Sequence, residues 1–396
     1  MKRLLIENHE GQVRTAITIE NRLREIYIDQ AENASLAGQI ILGRLDAILP
    51  GQFAFVDIGT GKNALMNTTR DVPLKKGQPL LVQVYKDPTG NKGAYVGMEL
   101  RLKGRYVVLM ESPRRDVGVS QKIKCESERK RLKITAMEAL PKGFGVIVRT
   151  SAEGQDAEKI SSEIEELQQA HQKIQSRAAH STFPKLIYPE APTETNRITA
   201  LLADLLSNDI SEIWVSGFNH NEIKQTITGI MPGLAGRVFE HAPGLFDAQN
   251  IPAQISAALK KTVQLPCGGF ITIEQTEACV VIDVNTGRFT GQKDLRTTIF
   301  ETNKEAAICI AWQLVLRNLS GIIIVDFIGM AREEDKNALL GVLSEEIKKD
   351  RIKTEIIGIT ELGLVQLTRQ RTREPLARLL EKDCPICNGK GRVINP

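Results

Sequence analysis

The chain has 396 residues, 42% hydrophobic, 25% charged and 5% aromatic, which is enough for several domains with a large core and excludes a disordered or low-complexity protein. A net charge of +4 is mildly basic, but its distribution says more. Between Arg101 and Lys133 eleven Lys/Arg face four Asp/Glu, a balance of +7; between Ser151 and Ala170 six acids face one lysine, a balance of −5. Such asymmetry suits one surface for a polyanion and another that avoids it, and equally suits plain solvated faces.

The opening Met1-Lys2-Arg3-Leu4-Leu5-Ile6-Glu7 is not expected to be a signal peptide, and no apolar run approaches the ~20 residues that span a bilayer. Cys125, Cys267, Cys279 and Cys309 are scattered singly, as reduced thiols of a cytoplasmic protein would be.

In chain order, the first thirty residues alternate in strand fashion, at 3–7, 14–19 and 25–28. From Gly38 to Gly97, some five short strands are broken by turn signals at Pro50-Gly51, Gly59-Thr60-Gly61, Lys76-Gly77 and Pro88-Thr89-Gly90, which suits a small barrel. A charged helix over 127–140, a strand over 145–149 and a polar helix over 156–179 follow. From about Thr195 the texture becomes α/β, with helices near 195–207 and 251–261. Two nearly continuous apolar runs then end in aspartate, Ala278–Asp283 and Gly321–Asp326, with one helix from Leu295 to Asn318 between them.

Strand, helix, strand predicts a specific juxtaposition. If the two strands are parallel neighbours, both carboxyl ends emerge at one sheet edge and Asp283 lies beside Asp326. Close carboxylates repel unless a cation lies between them, and hard oxygen donors with room for water favour magnesium. Asn285 would share their face and could donate to a phosphate oxygen. Taken singly, each Asp could equally cap a turn or a helix.

In the barrel, Phe53 and Phe55 fall on one face of a short strand, with Lys86 and Lys92 in the following hairpin. Aromatics that stack on bases, flanked by lysines, are how OB-type barrels hold single strands. The competing expectation is that one of the two phenylalanines fills the core. Cys384-Pro385-Ile386-Cys387 is a knuckle suited to tetrahedral zinc; with no second pair in the chain, a second copy would complete the four ligands. Redox chemistry or no function at all are the other readings of that pair.

Val281-Ile282-Asp283-Val284-Asn285, Ile324-Val325-Asp326-Phe327-Ile328, Leu367-Thr368-Arg369-Gln370-Arg371 and Cys384-Pro385-Ile386-Cys387 resemble, in order and spacing, the ribonuclease E/G family. The resemblance covers essentially the whole chain and implies a multidomain α/β architecture. Its expected parts are an RNase H-like fold (1–35 and 195–258), an inserted OB-type barrel (36–98), a 5′-sensor region (99–194), a DNase I-like catalytic domain (259–383) and a zinc link (384–396). It further implies an endoribonuclease of rRNA and mRNA processing and decay, acting on single-stranded RNA with magnesium on Asp283 and Asp326 and with Asn285 orienting the phosphate. Gly104, Val108, Arg149 and Thr150 match the family's 5′-monophosphate pocket, and an Arg fork beside a Thr hydroxyl suits that group. RNA contacts map to Phe55, Lys86, Lys92, Arg369 and Arg371, and zinc ligands to Cys384 and Cys387 of two chains.

This chain departs from the family pattern in two places. Leu65 stands where a second barrel aromatic is usual, and the small domain that usually follows the zinc link has no counterpart here, so a zinc-linked dimer rather than a tetramer is expected. Apart from the resemblance, the barrel and basic segment alone would suit a non-catalytic RNA-binding protein, and a zinc dimer bridging RNA would suit a ribosome-assembly factor. Paired strand-end aspartates have no use in either.

Overall fold

A computed structural model describes the chain except residues 30–35, 50–51, 69–72, 89–91, 113, 190–193, 288–294, 383, 386 and 388–396. It forms two compact units, one of residues 1–32, 207–228 and 233–396, the other of 33–206 and 229–232.

The first unit opens with an antiparallel meander, β1 (Lys2–His9), β2 (Gln12–Ile19) and β3 (Arg22–Asp29). Its hairpins are tight because Glu10-Gly11 and Glu20-Asn21 all take positive φ, which matches the right-handed strand twist.

The second unit begins with the barrel: β4 (Ile40–Leu49), β5 (Phe53–Asp57), β6 (Ala64–Asn67), β7 (Pro79–Lys86) and β8 (Tyr95–Gly97). The order β4-β5-β6-β8-β7 closes into a barrel because β7 pairs back onto β4. Leu45, Ala54, Val56, Met66, Val82 and Val96 fill the interior. A second sheet, ordered β11-β12-β10-β9, uses β9 (Arg101–Lys103), β10 (Val107–Glu111), β11 (Val117–Val119) and β12 (Phe144–Val148). Helices α1 (Glu126–Ala139) and α2 (Ala157–Ala179) cover it through Leu132, Ala136, Ile160 and Ile164. Strand β13 (Lys185–Tyr188) pairs with β4, and α3 (Glu194–Leu205) ends the unit's main segment.

Back in the first unit, β14 (Glu212–Ser216) lies parallel to β1, and after α4 (His220–Ile230) β15 (Val238–Glu240) lies parallel to β14. Helices α5 (Leu245–Ala248) and α6 (Ile251–Ala258) follow. The last sheet has the order β16-β17-β18-β19-β21-β20, from β16 (Thr262–Gln264), β17 (Phe270–Gln275), β18 (Cys279–Asn285), β19 (Gly321–Asp326), β20 (Thr354–Ile359) and β21 (Val365–Arg369). Among the described residues its only parallel pair is β18–β19, with α7 (Leu295–Leu316) between them in the chain. The C-terminal half of that helix is apolar on most sides because it packs in two directions. Ala306, Ala307, Ile310 and Leu314 pack with the last sheet's core, and Trp312 and Leu316 with the β1–β3 cluster. Helix α8 (Glu333–Ile347) adds Leu339 and Leu343 to the same core, and α9 (Leu376–Leu380) adds Leu376 to the β1–β3 cluster.

Candidate active site and nucleic-acid interface

The two aspartates meet as the β18–α7–β19 order requires. Asp283 and Asp326 are register partners on adjacent parallel strands, Asp326 the last residue of β19 and Asp283 two residues before the end of β18, in an alternating pattern that buries Val280, Ile282, Ile323 and Val325 on the opposite face. Both carboxylates lie on the exposed sheet face, opposite the packed helices. Asn285 shares that face, and its Nδ2 donates to Asp283 Oδ2 at 2.6 Å. Sequence reasoning missed Asn303, a fully buried asparagine of α7. Its Nδ2 donates to the Ile328 carbonyl at 2.8 Å while its Oδ1 accepts the Ile328 N–H at 3.0 Å, pinning the backbone two residues beyond Asp326. No sequence signal singles it out, because it lies among Glu301, Thr302, Lys304 and Glu305 in the polar half of the helix.

The residues matched to a 5′-phosphate pocket gather at one end of the second sheet. Arg149 follows β12 directly; its Nη1 donates to the Gly104 carbonyl at 2.7 Å and its Nη2 to Asp204 Oδ1 at 3.2 Å. Thr150 Oγ1 lies 3.0 Å from Ser120 Oγ. Val108 pairs with Lys103 and Ile147, on the half-exposed face of β10. The arginine fork is therefore positioned by a backbone carbonyl, and one arm rests on an exposed carboxylate.

On the barrel, alternation places Phe53 and Phe55 outside while Ala54 and Val56 fill the core, so the expectation that one phenylalanine is a core residue is corrected. The turn to small inner residues leaves room for neither ring. Register then builds a row that no single strand reveals: Phe55 pairs with Leu65, Leu65 with Tyr95, and Tyr95 with Lys86. Lys86 Nζ lies 5.9 Å from the centre of the Tyr95 ring. Tyr95 thus supplies an aromatic one strand beyond Leu65. Lys86 and Lys92 are exposed at the hairpin ends, whose tip at 89–91 lies outside the described residues.

Arg369 does not face solvent, which corrects its assignment as an RNA contact. It is buried in the first unit, with Nε donating to Asp350 Oδ2 at 2.7 Å and Nη1 to Asn318 Oδ1 and the Leu319 carbonyl at 3.0 and 2.9 Å. β21 lies inside the sheet, between β19 and β20, and the end residue of such a strand faces neighbours on both sides. Arg371, two residues later, is exposed. Cys384 is exposed and Cys387 half-buried; Ile386 and residues 388–396 lie outside the described residues. Among the described residues no group of three or more His, Cys, Asp or Glu side chains could hold a metal ion. No helix among them is long and apolar enough to cross a membrane.

The family model described as the ribonuclease E/G family matches residues 101–372. Ribonuclease G of Haemophilus influenzae is 37% identical over 98% of this chain and 84% of its own length; Ribonuclease G of Escherichia coli strain K12 is 36% identical over the same shares. Ribonuclease E of a Nostoc species is 36% identical over 100% of this chain and 59% of its own length. With register-paired aspartates on two adjacent parallel strands and identity sustained along the whole length, the chain belongs to the ribonuclease E/G family.

Proposed function

We propose that the chain is a magnesium-dependent endoribonuclease that cuts single-stranded RNA in rRNA and mRNA processing and decay, stimulated by a substrate 5′-monophosphate. The observation that carries this reading is the register pairing of Asp283 with Asp326, with Asn285 bonded to the first, on one exposed sheet face. Two carboxylates carried side by side on strands ~4.8 Å apart repel each other in the absence of a cation. All-oxygen donors open to water fit magnesium, which takes one or two carboxylates and fills its remaining positions with water and phosphate oxygens. Asp283 and Asp326 would hold that ion, which when bound would lower the pKa of water and offset charge on the leaving oxygen. Asn285 orients the Asp283 carboxylate and keeps a second amide proton for a substrate phosphate oxygen. Asn303 fixes the chain just past Asp326, so the second carboxylate is not free to drift. With water rather than the ribose 2′-hydroxyl as nucleophile, the products carry 5′-phosphate and 3′-hydroxyl ends.

The outer barrel row supports RNA binding. Phe55 and Tyr95 offer faces for bases, and Lys86 and Lys92 neutralise phosphates. Gly104, Val108, Arg149 and Thr150 form the reading's 5′-monophosphate pocket, with the phosphate taking the place of Asp204 on the Arg149 fork. Arg371 remains an RNA contact in this reading, and Arg369 does not. The sheets of the first unit fit the RNase H-like and DNase I-like parts, and Cys384 and Cys387 would share a zinc between two copies in a cytoplasmic homodimer.

The test is incubation with a short single-stranded RNA bearing 5′-monophosphate or 5′-hydroxyl, with magnesium or with chelator. Magnesium-dependent internal cuts, faster on the monophosphate and lost in Asp283→Ala while RNA binding persists, are expected. Binding without cuts under every condition would leave a non-catalytic RNA-binding protein, and a fully active Asp283→Ala would remove the acid pair from the chemistry.

A further inference from the structure

The turn from Gly104 to Tyr106, between β9 and β10, is held on two sides by different parts of the chain. Its carbonyls face the segment after β12: Gly104 O accepts Arg149 Nη1 at 2.7 Å, Tyr106 O accepts the Arg149 N–H at 2.7 Å, and Arg105 O accepts Ser151 Oγ. Its amides face the carboxylate of Glu163, on α2. Arg105 N–H donates to Oε1 at 2.6 Å, and Tyr106 and Val107 N–H donate to Oε2 at 2.7 and 2.8 Å. Consecutive N–H groups converging on one anion form a backbone nest, and hydrogen bonds to an ionised acceptor are about twice as strong as neutral ones.

Residue 104 must be glycine for this to happen. A Cβ there would lie 2.5 Å from the Glu163 carboxyl carbon and 2.6 Å from Oε2, so any larger side chain would displace the carboxylate from its nest. Glycine at this position therefore does not contact a ligand through a side chain; it admits Glu163. The arginine fork and the nest share one turn, so the geometry that presents Arg149 depends on an acid 14 positions along the chain from it.

We infer that Glu163 is a positioning residue for the 5′-end pocket, acting through the 104–107 turn. This rests on the reading of Arg149 and Thr150 as a monophosphate pocket. Without the carboxylate, three adjacent N–H groups turn towards water, the Gly104 and Tyr106 carbonyls move with them, and the Arg149 fork loses its backbone anchor. The acid pair of the other unit has no part in this, so the effect belongs to 5′-end discrimination and not to chemistry.

The experiment compares cleavage of 5′-monophosphate and 5′-hydroxyl RNA by the full chain and by Glu163→Gln, which keeps the shape but places an NH2 group against N–H donors. The expected result is loss of the monophosphate advantage: that RNA is cut at the rate of the hydroxyl RNA, whose own rate is unchanged. Glu163→Asp keeps the charge with a shorter reach and should retain part of the advantage, which also serves if the Gln variant melts below assay temperature. A wild-type advantage in both variants, or equal falls on both RNAs with the ratio intact, would overturn the inference. A wild-type protein that cuts both RNAs equally would instead remove the pocket reading itself, and the inference with it.

Discussion

Removing either member of the Asp350–Arg369 pair should destabilise the first unit severely, with no direct effect on RNA contact. The two side chains are 6% and 1% exposed, and the guanidinium also satisfies Asn318 and the Leu319 carbonyl, so either group left alone would be a charge shielded from bulk solvent. Breaking such a buried pair costs about 3–5 kcal/mol, because the remaining charge is left uncompensated. For a unit of this size each kcal/mol lowers Tm by roughly 2–4 °C, which gives a fall of roughly 6–20 °C for Asp350→Ala or Arg369→Met. The chain's two tryptophans, Trp214 and Trp312, both lie in the first unit, so tryptophan fluorescence during heating reports this transition selectively. The double variant should lose less than the two single losses added together, with a coupling of about 1–3 kcal/mol. RNA binding measured well below every Tm should match wild type. An Arg369→Met protein that melts normally yet binds RNA weakly would refute the reasoning and return Arg369 to the RNA surface.

Phe55→Ala and Tyr95→Ala should each weaken single-stranded RNA by about 1–3 kcal/mol, read by fluorescence anisotropy in chelator, and Leu65→Phe should tighten it; unchanged affinity in both alanine variants would remove the barrel row from RNA binding. Glu128 accepts two hydrogen bonds from Arg131 at 2.7 Å and one from the Gly154 N–H at 2.9 Å, and these, the arginine first, hold its carboxyl down at about 2 against an ordinary 4.5. A depressed folded value gives stability that is complete above pH 4.5 and is lost as pH falls towards 2. Glu128→Gln should therefore melt lower than wild type near neutral pH, by about 1 kcal/mol given the exposed arginine, with the gap closing across that window; a gap independent of pH would refute the ion pair. Cys125 is exposed, and the hydrogen bond from Ser127 lowers its thiol pKa, whereas burial pushes Cys309 up to about 11. Brief alkylation at pH 7.5 followed by mass spectrometry should label Cys125 well before Cys309, and the reverse order would contradict both environments.

Asp283 and Asp326 were legible in the sequence because the signal is local. Two β-branched apolar runs ending in Asp, with one helix between, admit few topologies, and parallel pairing of the two strands puts both aspartates towards one edge. The barrel was legible too, from short strands and turn residues, and so were the bounds of α1, α2, α3 and α7 to within two residues, because hydrophobic period and breakers act over a few residues, whereas α4 and α8 were not read. Only the tertiary structure decided the rest. Alternation along β21 puts Arg369 on the face of Val365 and Leu367, but the partners that let a charge stay buried there, Asn318 and Asp350, come from other elements. Tyr95 joins Phe55 only through the cross-strand register of a closed barrel, 40 positions apart in the chain. Glu163 reads as one acid in a charged helix until the fold sets it against Gly104. Sequence patterns report what each segment buries; which side chains then meet is decided by pairings between distant segments, where a single register step changes every neighbour.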